Sequence, residues 1–311
     1  MPTVSVVIPT KNRPETVRCA IRSVLNQTFG ALEIIIVIDG PDLPTEMAMR
    51  SLSDPRLKVV VNPHNVGLAE SRNIGVRYAQ GKWVAFLDDD DEWLPAKLAK
   101  QIQVAEGIGT THVFVVSRFL ERTDTMERIW PEMLPVDTAR FSEYLFCNRG
   151  MLLPSSYLVS RQLMNDVPFT AGLRHIEDLD WLLRATSDPR TRIGSVPEPM
   201  LIYNNYPRPD RESRSFPWQI FYSWSVQHRA LFTPLAFSLF ITKGVVPRAR
   251  EAGASWRQLS HLLSAALFLG SFDIRTVFFF VASSCFTREF KRKAREALLF
   301  RFGVSSRRRR S

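Results

Sequence analysis

The sequence predicts an α/β protein: a Rossmann-like unit on a mostly parallel central sheet, followed by a helical, basic extension. Three observations carry this expectation. Short strands that are apolar throughout alternate with helical stretches, the pattern of a parallel sheet covered on both faces. An apolar fraction of 45% and a charged fraction of 23% over 311 residues belong to a globular chain, not a disordered one. From Phe216 onward the composition turns aromatic, aliphatic and basic. The expected division is 1–217 for the α/β domain and 218–311 for the extension.

Residues 4–8 form the first apolar run. Pro14 opens a helix that puts Val17, Ala20, Ile21, Val24 and Leu25 on one face. Residues 33–38, 57–61 and 83–87 are further strands, separated by helices over about 44–53 and 67–79, the latter closed by Gly81. A helix over 94–106 and a strand over 112–117 follow. Residues 124–176 are mixed and interrupted by Pro131, Pro135 and Pro154. A helix over 177–185 leads to extended structure over 193–203, broken by Pro197 and Pro199, and then to an Arg- and Pro-rich loop over 207–217 with Arg208, Arg211 and Arg214. In the extension, 231–241, 262–272 and 277–286 are apolar, each short of the roughly 20 residues a spanning helix requires. Asp273 and Arg275 interrupt the last two, and Trp256, Leu259, Leu263, Ala266 and Leu267 recur at helical spacing. Paired amphipathic helices, lying on a membrane or capping the domain, are expected there.

The net charge of +10 is uneven. Residues 288–311 hold ten Lys and Arg against two Glu, a net of +8, so the body of the chain is near neutral. By charge alone such a tail suits anionic lipid and nucleic acid equally. Nothing resembles a nucleic-acid-reading module, and no nucleic-acid partner is expected. Cys19, Cys147 and Cys285 stand far apart, giving neither a disulfide framework nor a zinc site. Without a basic, then apolar, then cleavable leader, secretion is not expected. The expected location is cytoplasmic, peripheral on the inner face of the membrane. No G-x-G-x-x-G follows the first strand, which argues against a dinucleotide-dependent dehydrogenase.

The chemistry concentrates at strand ends. Asp88, Asp89, Asp90, Asp91 and Glu92 follow directly on a buried strand. Like charges this close repel unless a cation compensates, and hard oxygen ligands suit Mg²⁺ or Mn²⁺ on a diphosphate. An acidic turn capping the next helix has the same composition. In a parallel sheet the residues just after each strand share one edge, where ligands bind. That edge collects Pro9, Thr10, Lys11, Asn12 and Arg13 after strand one and Asp39-Gly40 after strand two. Asn65-Val66-Gly67 opens the helix that bears Arg72 and Asn73. Glu177, Asp178 and Asp180 begin a later helix, where dipole-stabilised acids and a general base look alike.

These segments in this order resemble family-2 inverting glycosyltransferases of the A-type fold: 4–13, Ser23-Val-Leu-Asn-Gln-Thr-Phe29, Asn65-Val-Gly-Leu-Ala-Glu-Ser-Arg-Asn73, Phe86-Leu-Asp-Asp-Asp-Asp-Glu-Trp93 and Glu177-Asp178. The resemblance covers roughly 3–205. It implies that Asp39 contacts the nucleotide base, that Pro9, Thr10 and Arg13 line its pocket, and that Arg72 lies near the nucleotide. It makes Asp88 and Asp90 the metal and diphosphate motif, with Asp89 among the nucleotide-binding residues, and Asp178 the catalytic base. The implied donor is a nucleotide-sugar, a UDP-sugar in preference, and the implied acceptor a glycan or lipid-linked glycan. Strand two ends in one acid, Asp39, where the family often has two, and Asn204-Asn205-Tyr206 stands where many relatives place a His. Two rival readings fit the residues less well. A nucleotidyltransferase would want glycines around Lys11 and Arg13, and a non-enzymatic membrane- or nucleic-acid-binding scaffold would have no use for the acidic cluster with Glu177-Asp178.

Overall fold

A computed structural model describes residues 1–148, 150–206 and 217–285. Arg208, Arg211, Arg214 and the basic tail over 288–311 lie outside the described residues. The chain divides into two compact units, Met1–Phe141 with Arg149–Asp210, and Ser142–Asn148 with Arg211–Ser311.

The first unit opens with β1 (Val4–Thr10), α1 (Pro14–Leu25), β2 (Leu32–Ile38), α2 (Leu43–Arg50), β3 (Leu57–Val61), α3 (Leu68–Tyr78) and β4 (Trp83–Phe86). There follow β5 (Glu92–Trp93), α4 (Lys97–Ile108), β6 (Val113–Arg122), β7 (Glu127–Trp130) and α5 (Phe141–Phe146), most of which belongs to the second unit. The unit closes with β8 (Tyr157–Ser160), α6 (Arg161–Asp166), α7 (Glu177–Ser187) and β9 (Arg192–Asn204). One sheet of order β3-β2-β1-β4-β8-β6-β9-β5 joins them, with β7 beside β6. β3, β2, β1 and β4 are mutually parallel. Beyond β4 the sheet is mixed: β8 runs antiparallel to β4 and β6, while β9 runs parallel to β6.

The apolar runs explain the first half. β1 and β4 are buried along their whole length, and α1 lays Val17, Ala20, Ile21 and Val24 on the sheet. β3 is the edge strand and leaves Val59 and Val61 exposed on one face. Gly81 does not cap α3, which ends in extended backbone at Ala79. A Cβ on Gly81 would meet the backbone of Thr3, Val4 and Ser5 at 2.8–2.9 Å, so this glycine is there to let the chain pass against β1. Pro197 and Pro199 do not end β9. They fall where its register against β6 shifts, because a residue without an N–H is tolerated at a bulge. Lys97, at the start of α4, is wholly buried. Its Nζ donates to Gln101 Oε1 at 2.7 Å and lies 3.9 Å from the Trp93 ring centroid, and burial holds its pKa well below the ordinary lysine value.

The second unit is helical. α8 (Trp218–Gln227) is followed by α9 (Pro234–Phe240), which continues through Ile241–Val245 into α10 (Val246–Glu251). α11 (Trp256–Ala265) starts with a Ser255–Gln258 capping box and runs on to Gly270, and α12 (Ile274–Cys285) follows. Phe146 from α5 stacks on Phe232 and meets Phe240 edge-on, and Phe237, Ile241, Val245, Leu259 and Leu262 complete this core. Several large apolar side chains stay outside it, most of all Phe268, Phe272 and Ile274, each 81% exposed. Among the described residues, no helix is long and apolar enough to cross a membrane.

Candidate active site

The carboxyl ends of β1, β2 and β4 and the start of α7 bring the acidic residues of the first unit together. The central connection is Arg72, which α3 presents with no exposed surface. Its Nη1 donates to Asp178 Oδ1 at 2.5 Å and its Nη2 to Asp88 Oδ1 at 2.8 Å. Its guanidinium carbon lies 5.3 Å from the Phe169 ring centroid. Burial works against its charge, but Asp178, Asp88 and Glu177 together raise its pKa above the ordinary arginine value. Arg72 is therefore a fixed cation, its two terminal nitrogens committed to two carboxylates far apart in sequence.

Both carboxylates use one oxygen on Arg72 and keep a face open: the Asp178 side chain is 37% exposed and that of Asp88 31%. Among the described residues, nothing bonds Asp178 Oδ2 or Asp88 Oδ2. Asp178 is pushed up to about 6 by desolvation and by neighbouring Glu177, against the lowering pull of Arg72. That places a carboxylate near neutrality, poised to take a proton. Its neighbour Asp180 is 1% exposed and serves the structure: Oδ2 accepts from Thr170 Oγ1 at 2.6 Å and from Arg184 Nε at 2.8 Å.

The other predicted residues form the adjoining wall. Pro9 and Thr10 end β1, opposite Val37 and Ile38. Thr10 Oγ1 donates to Asp89 Oδ2 at 2.7 Å, and Arg13 Nη1 to Asp89 Oδ1 at 2.9 Å. Asp89 is raised to about 6 by burial and by Asp90, while Arg13 and Thr10 pull it down. Arg13 also lies 3.6 Å from Asp90. Asp39 holds the turn that opens α3, accepting the Val66 N–H at 2.8 Å and the Gly67 N–H at 3.0 Å. Gly67 sits at φ +88°, a conformation L side chains avoid. Asn204 Nδ2 donates to the Asp90 carbonyl at 3.2 Å and so braces the acidic loop.

Two residues that bear on the site were missed in the sequence. The Asp88 N–H donates to Ser155 Oγ at 3.0 Å, and Trp93 Nε1 donates to the Ser155 carbonyl at 2.9 Å. Ser155 and Phe169 lie in the interrupted stretch 124–176, where no periodicity marks them.

Asp88 and Asp90 offer carboxylate oxygens alone, the donor type of Mg²⁺ and Mn²⁺. Among the described residues, no three His, Cys, Asp or Glu converge into a complete cage. That is compatible with such a cation, which often takes one or two carboxylates and completes its shell with water and substrate phosphate. The open oxygen of Asp88 fits this use.

A mixed α/β sheet with an acidic turn after a central strand, joined through Arg72 to a carboxylate at the start of a later helix, defines an enzyme of the A-type glycosyltransferase fold. The family model for Glycosyl transferase family 2 matches residues 5–167, more than half of the chain, and the chain belongs to that family. It is 37% identical over 101 residues to the Escherichia coli UDP-Glc:alpha-D-GlcNAc-diphosphoundecaprenol beta-1,3-glucosyltransferase WfgD, a match covering 32% of this chain and 40% of that protein. It is 39% identical over 117 residues to the Campylobacter jejuni GalNAc(5)-diNAcBac-PP-undecaprenol beta-1,3-glucosyltransferase, covering 37% and 38%. The chain spans about two fifths of the length of these two curated relatives. S. aureus TarS 1–349 in complex with UDP-GlcNAc shares the fold, with a TM-score of 0.58 at 16% identity over 96% of this chain and 92% of that one. So does the mannosyltransferase PcManGT from Pyrobaculum calidifontis in complex with GDP-Man and Mn²⁺, with a TM-score of 0.53 at 15% identity over 96% and 81%.

Proposed function

We propose that this glycosyltransferase moves a sugar from a nucleotide-sugar, a UDP-sugar in preference, to a hydroxyl of a glycan or lipid-linked acceptor, with inversion and with Mg²⁺ or Mn²⁺, in cell-surface glycan or polysaccharide synthesis. The observation that carries the reading is the Arg72 fork, which holds Asp88 and Asp178 on one edge with an open oxygen on each. Asp178 accepts the acceptor hydroxyl's proton through Oδ2 while Arg72 keeps Oδ1 in place. The new C–O bond forms at the anomeric carbon as the bond to the diphosphate breaks on the opposite face. The nucleoside diphosphate leaves with the electron pair. Asp88 and Asp90 would hold the cation, which when bound neutralises the departing diphosphate. Pro9, Thr10, Arg13, Asp39 and Asp89 form the nucleotide pocket, Asp39 by setting the 65–67 turn and Arg13 by bracing the acidic loop.

Residues 1–217 carry this chemistry in our reading, and 218–311 hold the enzyme peripherally on the inner face of an anionic membrane. The ten Lys and Arg of 288–311 and the exposed Phe268, Phe272 and Ile274 support the attachment, since a basic patch joined to an apolar face supplies the two signals it requires. The relatives named for undecaprenol-diphosphate acceptors support a lipid-linked acceptor.

Donor hydrolysis across UDP-, GDP- and dTDP-sugars with Mn²⁺ or Mg²⁺ tests the reaction. Turnover of a UDP-sugar that EDTA stops is expected. Absence of turnover and of nucleotide binding with every donor and metal would overturn it.

A further inference from the structure

α8 and α11 border an open groove of about 460 Å³ within the second unit, lined by Trp218, Gln219, Tyr222, Arg257, Gln258 and His261. Its chemistry is unlike that of the phenylalanine-rich core beneath it. Three of the six side chains are aromatic rings and the other three are hydrogen-bonding amides and a guanidinium. Tyr222 and His261 meet with ring centroids 5.7 Å apart, edge to face, and Tyr222 Oη lies 3.0 Å from His261 Nε2. This contact fixes both rings.

The polar groups around these rings are underused. Gln258 spends its Oε1 on the Ser255 N–H, which leaves its NH₂ to donate outward. Among the described residues, Arg257 has no acidic partner, and neither the Trp218 indole N–H nor the Gln219 amide makes a hydrogen bond. Trp218 is buried, whereas Gln219, Arg257, Gln258 and His261 are exposed and Tyr222 is half-buried, so the groove's donors face solvent. Aromatic faces carry a negative quadrupole that attracts polarised C–H groups, while amide and guanidinium forks match vicinal oxygen pairs. One class of ligand presents both at once: a pyranose, with an axial C–H face and a rim of adjacent hydroxyls.

We propose that the α8–α11 groove is a glycan-binding subsite that takes a sugar ring of the acceptor chain. The inference rests on the glycan-transfer reading above, and it adds a recognition element outside the α/β unit. Binding a non-reacting part of the substrate is a source of specificity that the reacting hydroxyl cannot supply.

The test uses the full chain with ¹⁵N-labelled tryptophan, the Trp218 indole signal being assigned through Trp218→Phe. Laminaritetraose, a neutral β-1,3-glucan, and tetragalacturonate, its acidic counterpart, are titrated separately. UDP with Mn²⁺ is titrated in parallel as an independent measure of the donor site. A saturable shift of the Trp218 signal with either glycan is expected. It should weaken at least about tenfold in the double variant Gln219→Ala/Arg257→Ala, whose exposed side chains the fold does not need. Preference for the tetragalacturonate would assign Arg257 to a sugar carboxylate, and preference for the glucan would assign it to hydroxyls; both support the subsite. No shift with either glycan up to about 20 mM, or equal binding by the double variant, overturns it. UDP binding in the same sample then shows that only the groove has failed; loss of UDP binding with intact glycan binding strikes the donor reading instead.

Discussion

Asp178 and Asp180 lie two residues apart at the start of α7, yet their surroundings give them different work. Asp178 faces Arg72 with one oxygen open, whereas Asp180 is buried on Thr170 and Arg184. Asp178→Asn should keep the fold and UDP binding and lose transfer by about 10²–10⁴-fold, the worth of a positioned base. Asp180→Asn should instead lower the melting temperature, because a buried charge-assisted pair with Arg184 is broken. With the Asp178 carboxyl near 6, only its ionised form accepts a proton, so kcat/KM should fall as pH drops through about 6. Asp89, also raised to about 6, titrates over the same range, so Asp178→Asn should leave a shallower acidic limb instead of none. Arg72→Lys tests the fork itself. An ammonium cannot span both carboxylates, so transfer should fall and the acidic limb should move to higher pH as the lowering pull on Asp178 weakens. Sequence motifs named Asp178 and Arg72 separately, but their bond spans 106 residues and no local spacing announces it. The burial of Arg72 is likewise a property of the packed sheet edge, not of α3 alone.

Among the elements, the single turn Pro154–Ser156 braces the acidic loop at two points. Ser155 receives the Asp88 N–H on its hydroxyl and the Trp93 indole on its carbonyl, and so fixes the chain where β4 gives way to the acidic loop. Ser155→Ala orphans the Asp88 N–H and should cost about 1–3 kcal/mol in denaturant unfolding. Donor KM should rise as well, since Asp88 loses its anchor; an unchanged KM would show that Arg72 alone positions it. This turn and β5, β7 and β8 were not legible in the sequence. They are two to four residues long, too short for a period; β5 and β8 exist because distant strands offer a ladder, and β7 because the chain folds back on β6 as a hairpin. The apolar runs of β1, β2 and β4 were legible because burial on both faces leaves few polar positions, and Ser5 and Glu33 satisfy each other by a hydrogen bond. Gly81 shows the limit of local rules. It stands where a helix cap would, but the approach of β1 is what selects it.

At the scale of the whole molecule, the proposed membrane attachment would draw on two separable features, the +8 carried by 288–311 and the exposed aromatic side chains of the second unit. Flotation should bring the full chain up with anionic vesicles at low salt and leave it unbound to neutral ones. A 1–285 chain should lose most binding, at about 1 kcal/mol per removed cation near the surface. Phe272→Glu with Ile274→Glu should weaken what salt does not. Retention of full binding by both variants would show that neither feature carries the attachment, and failure of the full chain to float with anionic vesicles would remove the membrane from the reading. The α/β unit has its own built-in reporter. Lys97 is sealed beneath Trp93 with its proton affinity depressed, whereas Lys100, one turn along α4, sits at the surface paired with Glu198. An acylating reagent should modify Lys100 from the folded state but reach Lys97 only when α4 lifts from the sheet. The ratio of the two labels over time is then a stopwatch for that opening, read by mass spectrometry from a single digest without any mutation.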